Sequence, residues 1–112
     1  MLDAQMKRGL LDSCVLSVLT KGDSYGYRII RDMSLVMEVS ESTLYPILRR
    51  LEAAGALRTY SVEHSGRLRK FYSITSAGHK LLEENLDGWK EIIRVYDFIK
   101  GENEGAGEDD EG

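Results

Sequence analysis

The chain has 112 residues, a formal net charge of −4, 42% hydrophobic side chains and one cysteine. This length predicts one domain, or one domain with an extension, with enough apolar residues to bury a core. A single cysteine excludes a disulfide framework and a cysteine zinc site, so Cys14 is expected to be a reduced core residue. The apolar stretch near the N-terminus lacks a signal-peptide cleavage site and is too short to span a membrane, which predicts a cytoplasmic protein.

Charge is unevenly distributed along the chain. Residues 7–70 contain 11 basic and 7 acidic side chains, a net of +4, whereas residues 101–112 contain 6 acids and no base. Because electrostatic footprints are local, the front of the chain can still bind nucleic acid despite the negative total. The segment 101–112 is acidic, glycine-rich and of low complexity, which predicts a disordered tail.

Two helices are predicted in the first third of the chain. Apolar residues recur at helical spacing over residues 6–19 and again over residues 25–34. The intervening TKGDS is typical of a turn, and Asp23 or Ser24 is placed to cap the second helix. Asp12 is the only acid inside the first apolar stretch. A local cap or ion pair and a position facing a pocket are both open for it.

A third helix is predicted over residues 40–57, with Ser40 as its N-cap and Gly55 as its C-terminal stop. One stripe of leucine and isoleucine faces a core, and Pro46 either moves the helix start toward Ser42 or kinks the first turn. The other side carries hydroxyls and guanidiniums, groups that contact phosphates and base edges. These candidate DNA-binding residues are Ser42, Thr43, Tyr45, Arg49 and Arg50. An ordinary solvated helix face would show the same pattern.

Two alternating segments, residues 57–63 and 69–75, flank the turn HSGR and predict a β-hairpin. Its tip is basic, with Arg67, Arg69 and Lys70 as further DNA-binding candidates. Three helices followed by such a hairpin give the expected fold class: α+β, mainly α, a winged helix-turn-helix over residues 1–75. In that fold the third helix enters the major groove, and the wing lies on the backbone or in the minor groove. For the hairpin alone, a solvated edge whose charges block aggregation is the alternative.

A last helix is predicted over residues 76–100, capped by Ser76 and about 36 Å long at about 1.5 Å per residue. A heptad seam of apolar residues runs along it: Leu82, Leu86, Trp89, Ile93 and Tyr96. A second apolar stripe lies beside the seam. One stripe can pack on the helix's own domain and the other needs a partner, which predicts a dimerisation helix and a homodimer.

Several short motifs between residues 8 and 78 resemble the PadR-type transcriptional regulators, of the short class with a single C-terminal helix. The most specific block runs from Thr43-Leu44-Tyr45-Pro46 to Gly55, and the family tolerates a proline at this point. The supporting motifs are Arg8-Gly9-x-Leu11-Asp12, Tyr25-Gly26-Tyr27 and Arg69-Lys70-x-Tyr72-x-x-Thr75-x-x-Gly78.

The resemblance implies a dimeric repressor that binds double-stranded DNA at a palindromic operator. It also implies modulation by a small hydrophobic or aromatic effector at the dimer interface, where a tryptophan of the last helix stacks planar ligands in some relatives. Trp89 stands at the matching place. The other implied ligand-binding residues are Leu86, Ile92, Ile93, Met6 and Asp12. Ile93 is apolar where relatives carry polar groups, so a Trp89 packed inside a closed dimer seam is the alternative.

Two other classes of function are alternatives to a DNA-binding regulator. A winged-helix protein-interaction module that binds neither DNA nor ligand is favoured by the net negative charge and opposed by the basic wing. An enzyme finds no support, since His64 and His79 are not spaced as a metal pair and no Ser-His-Asp or glycine-rich phosphate motif is present. No catalytic residue, metal site or cofactor is therefore expected.

Overall fold

The computed structural model describes residues 3–101, which form four helices and three strands. It divides into two compact units, one ending at Leu82 and the other beginning at Glu83. The first unit holds three helices, the antiparallel sheet and the start of the fourth helix, which confirms the expected mainly helical winged-helix class. Apart from Gly101, the predicted acidic tail lies outside the described residues.

The first two helices are α1 (Ala4–Thr20) and α2 (Gly26–Met33). Asp3 caps α1, because its side chain accepts a hydrogen bond from the backbone nitrogen of Met6 at 2.8 Å. The prediction that Asp23 or Ser24 caps α2 is wrong. The N-cap is Tyr25, which makes no side-chain capping bond. The segment before α2 is instead a short strand, β1 (Ser24–Tyr25).

The third helix, α3 (Glu41–Ala53), begins at the predicted cap. The Ser40 hydroxyl accepts a hydrogen bond from the Thr43 backbone nitrogen at 3.3 Å. Pro46 lies inside the helix, so the helix continues through the proline and does not start nearer Ser42. Gly55 follows the end of α3 with a φ of +81°, the left-handed conformation that suits a glycine at a helix stop.

The wing consists of β2 (Leu57–His64) and β3 (Arg67–Ile74), which pair antiparallel from Leu57 opposite Ile74 to His64 opposite Arg67. Ser65 and Gly66 connect them with φ values of +53° and +78°, as a type I′ hairpin turn requires. The hairpin is thus confirmed. The two residues of β1 add a third strand on the other side of β3, in the order β1-β3-β2.

The core of the first unit lies among α1, α2, α3 and the base of the wing. Leu16, Ile29, Leu44 and Leu48 are fully buried there. Burying a side chain of this size contributes about 1.5–3 kcal/mol, so the apolar stripe of α3 fixes which of its faces remains exposed. Cys14 packs against this core and is half-buried, and burial raises the pKa of its thiol.

The last helix, α4 (Ser76–Lys100), has its cap one residue earlier than predicted. The Thr75 hydroxyl accepts a hydrogen bond from the Gly78 backbone nitrogen at 3.1 Å, and it donates one to the Gly55 carbonyl at 2.6 Å. A Cβ at Gly78 would meet the backbone carbonyl of Ala56. The start of α4 therefore packs on the chain that connects α3 to β2. Among the described residues, no helix has the length and hydropathy of a membrane span.

Candidate nucleic-acid interface

The first turn of α3 presents a cluster of exposed hydroxyls. The Ser40 hydroxyl lies 3.0 Å from that of Ser42 and donates a hydrogen bond to that of Thr43 at 3.2 Å. Pro46 and Arg49 are exposed further along the same helix. This front of α3 is thus polar and accessible, and its groups can donate to and accept from an external hydrogen-bonding surface.

Arg50, predicted to contact DNA from α3, is bound to another side chain within the first unit. Its guanidinium forms an ion pair and hydrogen bond with the carboxylate of Asp12 on α1. Burial raises the pKa of the Asp12 carboxyl, and the nearby charges of Arg50 and Arg8 only partly oppose this effect. The pair therefore ties α3 to α1, with the Arg50 side chain still 39% exposed.

A shallow groove separates the beginning of α1 from α3. Lys7 and Arg8 line it from α1, and Ser42, Thr43 and Pro46 line it from α3. Lys7 and Arg8 are exposed cations that the sequence motifs left without a role. Their position beside the α3 hydroxyls extends the basic surface beyond the wing.

The three cations predicted to bind DNA from the wing, Arg67, Arg69 and Lys70, are all exposed, and two of them lie over aromatic rings. The Arg69 guanidinium sits 4.2 Å from the centroid of the Tyr25 ring, and the Lys70 ammonium sits 5.6 Å from that of Tyr72. Both distances are within the range of a cation–π attraction. Arg67 is at the hairpin turn. Because successive strand residues alternate in direction, the wing carries positive charge on both of its faces, partly fixed by its tyrosine neighbours.

One cleft brings the start of α2, the front of α3 and strand β3 together. Tyr27 of α2, Tyr45 of α3 and both Arg69 and Lys70 of β3 line it. Tyr45 is half-buried, and its ring lies so close to Gly26 that a Cβ at this glycine would overlap it. Gly26 therefore permits the contact that seats Tyr45 beside the wing.

An aromatic row attaches the wing to β1. The ring of Tyr60 stacks on that of Phe71 with centroids 5.6 Å apart, and Phe71 meets Tyr25 edge-on at 5.4 Å. At the end of the row the Tyr60 hydroxyl donates a hydrogen bond to the Asp23 carboxylate at 2.6 Å. This bond lowers the pKa of Asp23 and raises that of Tyr60.

The residues predicted for a dimer seam lie mostly in the second unit, along α4. Leu86, Ile93 and Tyr96 are each about half exposed there, at 49%, 56% and 54%, and Trp89 is partly buried. Ile92 is also exposed. Leu82 belongs to the first unit, where it packs against the core. Met6 and Asp12, the remaining ligand-binding candidates, also lie in the first unit.

The tyrosines of β1 and α2 line the candidate interface, and the sequence analysis did not name them among its site residues. Tyr25-Gly26-Tyr27 is visible as a motif, but only the pairing of β1 with β3 places Tyr25 under Arg69. The sequence signal that could have indicated them is the pair of tyrosines around Gly26, the residue at which α2 begins.

The chain matches a known protein family and is similar in sequence to proteins from other organisms. Residues 15–84 match the profile of the Transcriptional regulator PadR-like family. An uncharacterised protein from Lysinibacillus sphaericus is 35% identical over 107 residues, covering 90% of this chain and 98% of its own. The transcriptional regulator Rv3488 of Mycobacterium tuberculosis is 39% identical over 69 residues, covering 62% of this chain and 63% of its own.

Two solved structures are similar over most of the chain. A transcriptional regulator from Clostridium thermocellum aligns with a TM-score of 0.77 at 31% identity, covering 87% of this chain and 96% of its own. A PadR-like transcription factor from Bacteroides fragilis aligns with a TM-score of 0.77 at 35% identity, covering 86% and 95%.

Proposed function

Since the chain belongs to the PadR-like family of transcriptional regulators, we propose that it acts as a dimeric repressor that binds a palindromic operator. A small hydrophobic or aromatic effector, bound at the dimer interface, modulates the binding. The observation that carries the DNA-binding part is the cleft shared by Tyr45 of α3 and by Arg69 and Lys70 of the wing. It joins a helix front and a basic hairpin into one surface.

On DNA, the first turn of α3 enters the major groove, where Ser42 and Thr43 reach base edges and flanking phosphates. Tyr45 stands at the edge of this surface, toward the wing. Arg49 is exposed further back and contacts a phosphate. Arg50 has less freedom to do so, because its guanidinium is paired with Asp12. The wing cations Arg67, Arg69 and Lys70 supply the salt-dependent, sequence-independent part of the affinity.

Dimerisation is supported by the exposed apolar residues of α4. Leu86, Ile93 and Tyr96 follow a heptad spacing and are about half exposed in the single chain. Exposed apolar surface at this spacing is typical of a helix that packs against another helix. A two-fold dimer places two copies of α3 about 34 Å apart, one turn of B-DNA, which is why a palindromic operator follows.

An effector would bind next to Trp89 in that dimer, with Leu86, Ile92 and Ile93 as apolar neighbours. Trp89 offers a large, flat ring on which a planar ligand stacks. Such a ligand changes DNA binding only through different affinities for the DNA-compatible and the incompatible arrangement of the dimer. A Trp89 ring packed against its own symmetry mate would leave no room for a ligand.

The experiment that tests the proposal is a fluorescence anisotropy titration with promoter DNA from upstream of the protein's own gene. Random duplex of the same length serves as the control, and both are titrated at two salt concentrations. We expect tight binding to the promoter, weaker binding to random DNA, and a loss of affinity for both as salt rises. Equally weak binding to both at low salt would contradict an operator in that promoter, and no binding at all would favour a protein-interaction module.

A further inference from the structure

The cleft between α2 and the wing is lined by tyrosines and by two cations of β3. Arg69 and Lys70 line it from opposite faces of β3, because successive strand residues alternate in direction. The Arg69 guanidinium lies over the ring of Tyr25, and the Lys70 ammonium lies over that of Tyr72. Tyr27 lines the same cleft with 68% of its surface exposed. Among the described residues, no acidic side chain lines this cleft.

We propose that this cleft binds a phosphate of the DNA backbone, with Tyr25 and Tyr72 as positioning residues that hold Arg69 and Lys70 toward it. The site rests on the proposed DNA-binding function and assigns to it residues outside α3 and the tip of the wing. β1 pairs only with Tyr72 and Phe71, so the edge of β3 at Arg69 and Lys70 is open on this side, and both cations can reach a phosphate there from their two faces. Two cations, the exposed Tyr27 and no carboxylate suit an anion rather than a base edge.

The positioning role follows from the way the rings are themselves held. Tyr25 pairs with Phe71 across the β1–β3 ladder and meets its ring edge-on. Tyr72 is only 5% exposed, so its ring is fixed by the core of the unit. A flexible arginine or lysine loses side-chain conformational entropy when it binds a phosphate. A fixed aromatic ring that already restricts the side chain in the free protein lowers this entropic cost of binding.

Two cations lie near the Tyr25 ring, and only one of them, Arg69, is free to bind a phosphate. The Arg28 guanidinium lies 4.9 Å from the Tyr25 centroid, but it is bound to the Ser24 hydroxyl at 3.1 Å and to the Asp23 carbonyl at 2.8 Å. Arg28 does not line the cleft, whereas Arg69 does. Arg28 therefore helps to fix the ring, and Arg69 remains available to the phosphate.

The test measures binding of the full chain to random duplex DNA over a series of salt concentrations. Tyr25→Leu keeps every charge but removes the ring, and Tyr25→Phe keeps the ring. We expect Tyr25→Leu to weaken binding about 2–5-fold, the size of an exposed cation–π contact, and Tyr25→Phe to bind as the parent does. Tyr25→Leu combined with Arg69→Ala should bind no more weakly than Arg69→Ala alone.

Two further variants show whether weaker DNA binding comes from the lost ring contact, and not from a folding defect or from a general loss of positive charge. Arg69→Lys keeps the charge and loses the planar stack, so weakened binding is expected even if Tyr25→Leu does not fold. Lys80→Ala removes one exposed charge outside the cleft and should leave the slope of affinity against salt nearer the parent's than Lys70→Ala does.

The outcomes are distinguishable. A parent protein that binds no duplex at low salt overturns the proposed function and this site with it. A parent that binds, together with a folded Tyr25→Leu and an Arg69→Lys that both bind as the parent does, overturns the site alone. Strictly additive losses for Tyr25→Leu and Arg69→Ala also overturn the positioning role, because the two side chains would then act independently.

Discussion

The guanidinium of Arg50, on α3, is paired with the carboxylate of Asp12, on α1, across 38 positions of sequence. The two partners differ in burial: the Asp12 side chain is 14% exposed and that of Arg50 is 39% exposed. This contact attaches the proposed recognition helix to the first helix. Because one partner is near water and the other is not, removing each of them has a different cost.

We expect Arg50→Ala to destabilise the fold by about 1–3 kcal/mol at pH 7, because it leaves a buried carboxylate without its partner. Asp12→Asn should cost less, since the Arg50 guanidinium can turn to water. Burial already raises the pKa of Asp12, and losing Arg50 raises it further. A carboxyl with a raised folded pKa loses stability as pH rises from the unfolded pKa through the folded one.

The loss caused by Arg50→Ala should therefore be smaller at pH 5 than at pH 7. Urea unfolding of the parent and both variants at the two pH values measures this. Equal losses at both pH values would contradict an unpaired, buried Asp12 as the cause.

Gly26 should not tolerate a side chain while Tyr45 keeps its ring. A Cβ at Gly26 overlaps the Tyr45 ring and hydroxyl, so Gly26→Ala is expected to cost about 1–3 kcal/mol through overpacking. Tyr45→Leu in the same chain should recover part of that loss, as measured by thermal unfolding. Gly78→Ala is the contrasting variant. Its Cβ meets the Ala56 backbone carbonyl, so no single side-chain truncation at position 45 should restore its stability.

The hydrogen bond from Tyr60 to Asp23 should make stability depend on pH at both ends of the scale. The pKa of Asp23 is lowered, so its contribution is present above the ordinary value of 3.8 and is lost as pH falls through the folded value. The pKa of Tyr60 is raised, so its contribution is present below the ordinary value of 10.0 and is lost as pH rises through the folded value.

Tyr60→Phe keeps the ring that stacks on Phe71 and removes only the hydroxyl. Its melting temperature, followed from acid to alkaline pH, should vary less than the parent's at both ends. Asp23→Asn should remove the acidic change and the upward shift of the tyrosine titration. An unchanged tyrosine titration in Asp23→Asn, followed by ultraviolet absorbance, would exclude this pair as its cause.

A lysine in the seam of α4 should prevent dimer formation. Ile93 is 56% exposed in the single chain, and burying an ammonium at this position against a partner helix is costly. We expect Ile93→Lys to sediment as a monomer at concentrations where the parent is a dimer. Asp87→Lys, an exposed position of α4 off both apolar stripes, is the matched control and should remain dimeric. A monomeric parent would contradict the proposed dimer itself.

The outline of the first unit was predictable from local signals. The cap at Ser40, the stop at Gly55 and the apolar stripe of α3 each depend on residues within a few positions of one another, and the structure confirms all three. The hairpin was predictable for the same reason, since alternation and a glycine turn are local patterns.

Local signals failed where two residues competed for one role. Ser76 has the composition of a cap, but Thr75 takes it, because the Thr75 hydroxyl can also donate to the Gly55 carbonyl. The two-residue strand β1 is too short to leave an alternating pattern. It is a strand only because Ser24 and Tyr25 find Tyr72 and Phe71 opposite them.

By itself, then, the sequence determined the helices, the hairpin, the polar front of α3 and the basic wing, because these follow from propensity, periodicity and charge along a short stretch of chain. Only the tertiary structure decided that Arg50 pairs with Asp12 and that Tyr25 lies under Arg69. Such contacts join residues about 40 positions apart. Their geometry depends on how the buried stripes of separate elements pack, and no local pattern encodes it.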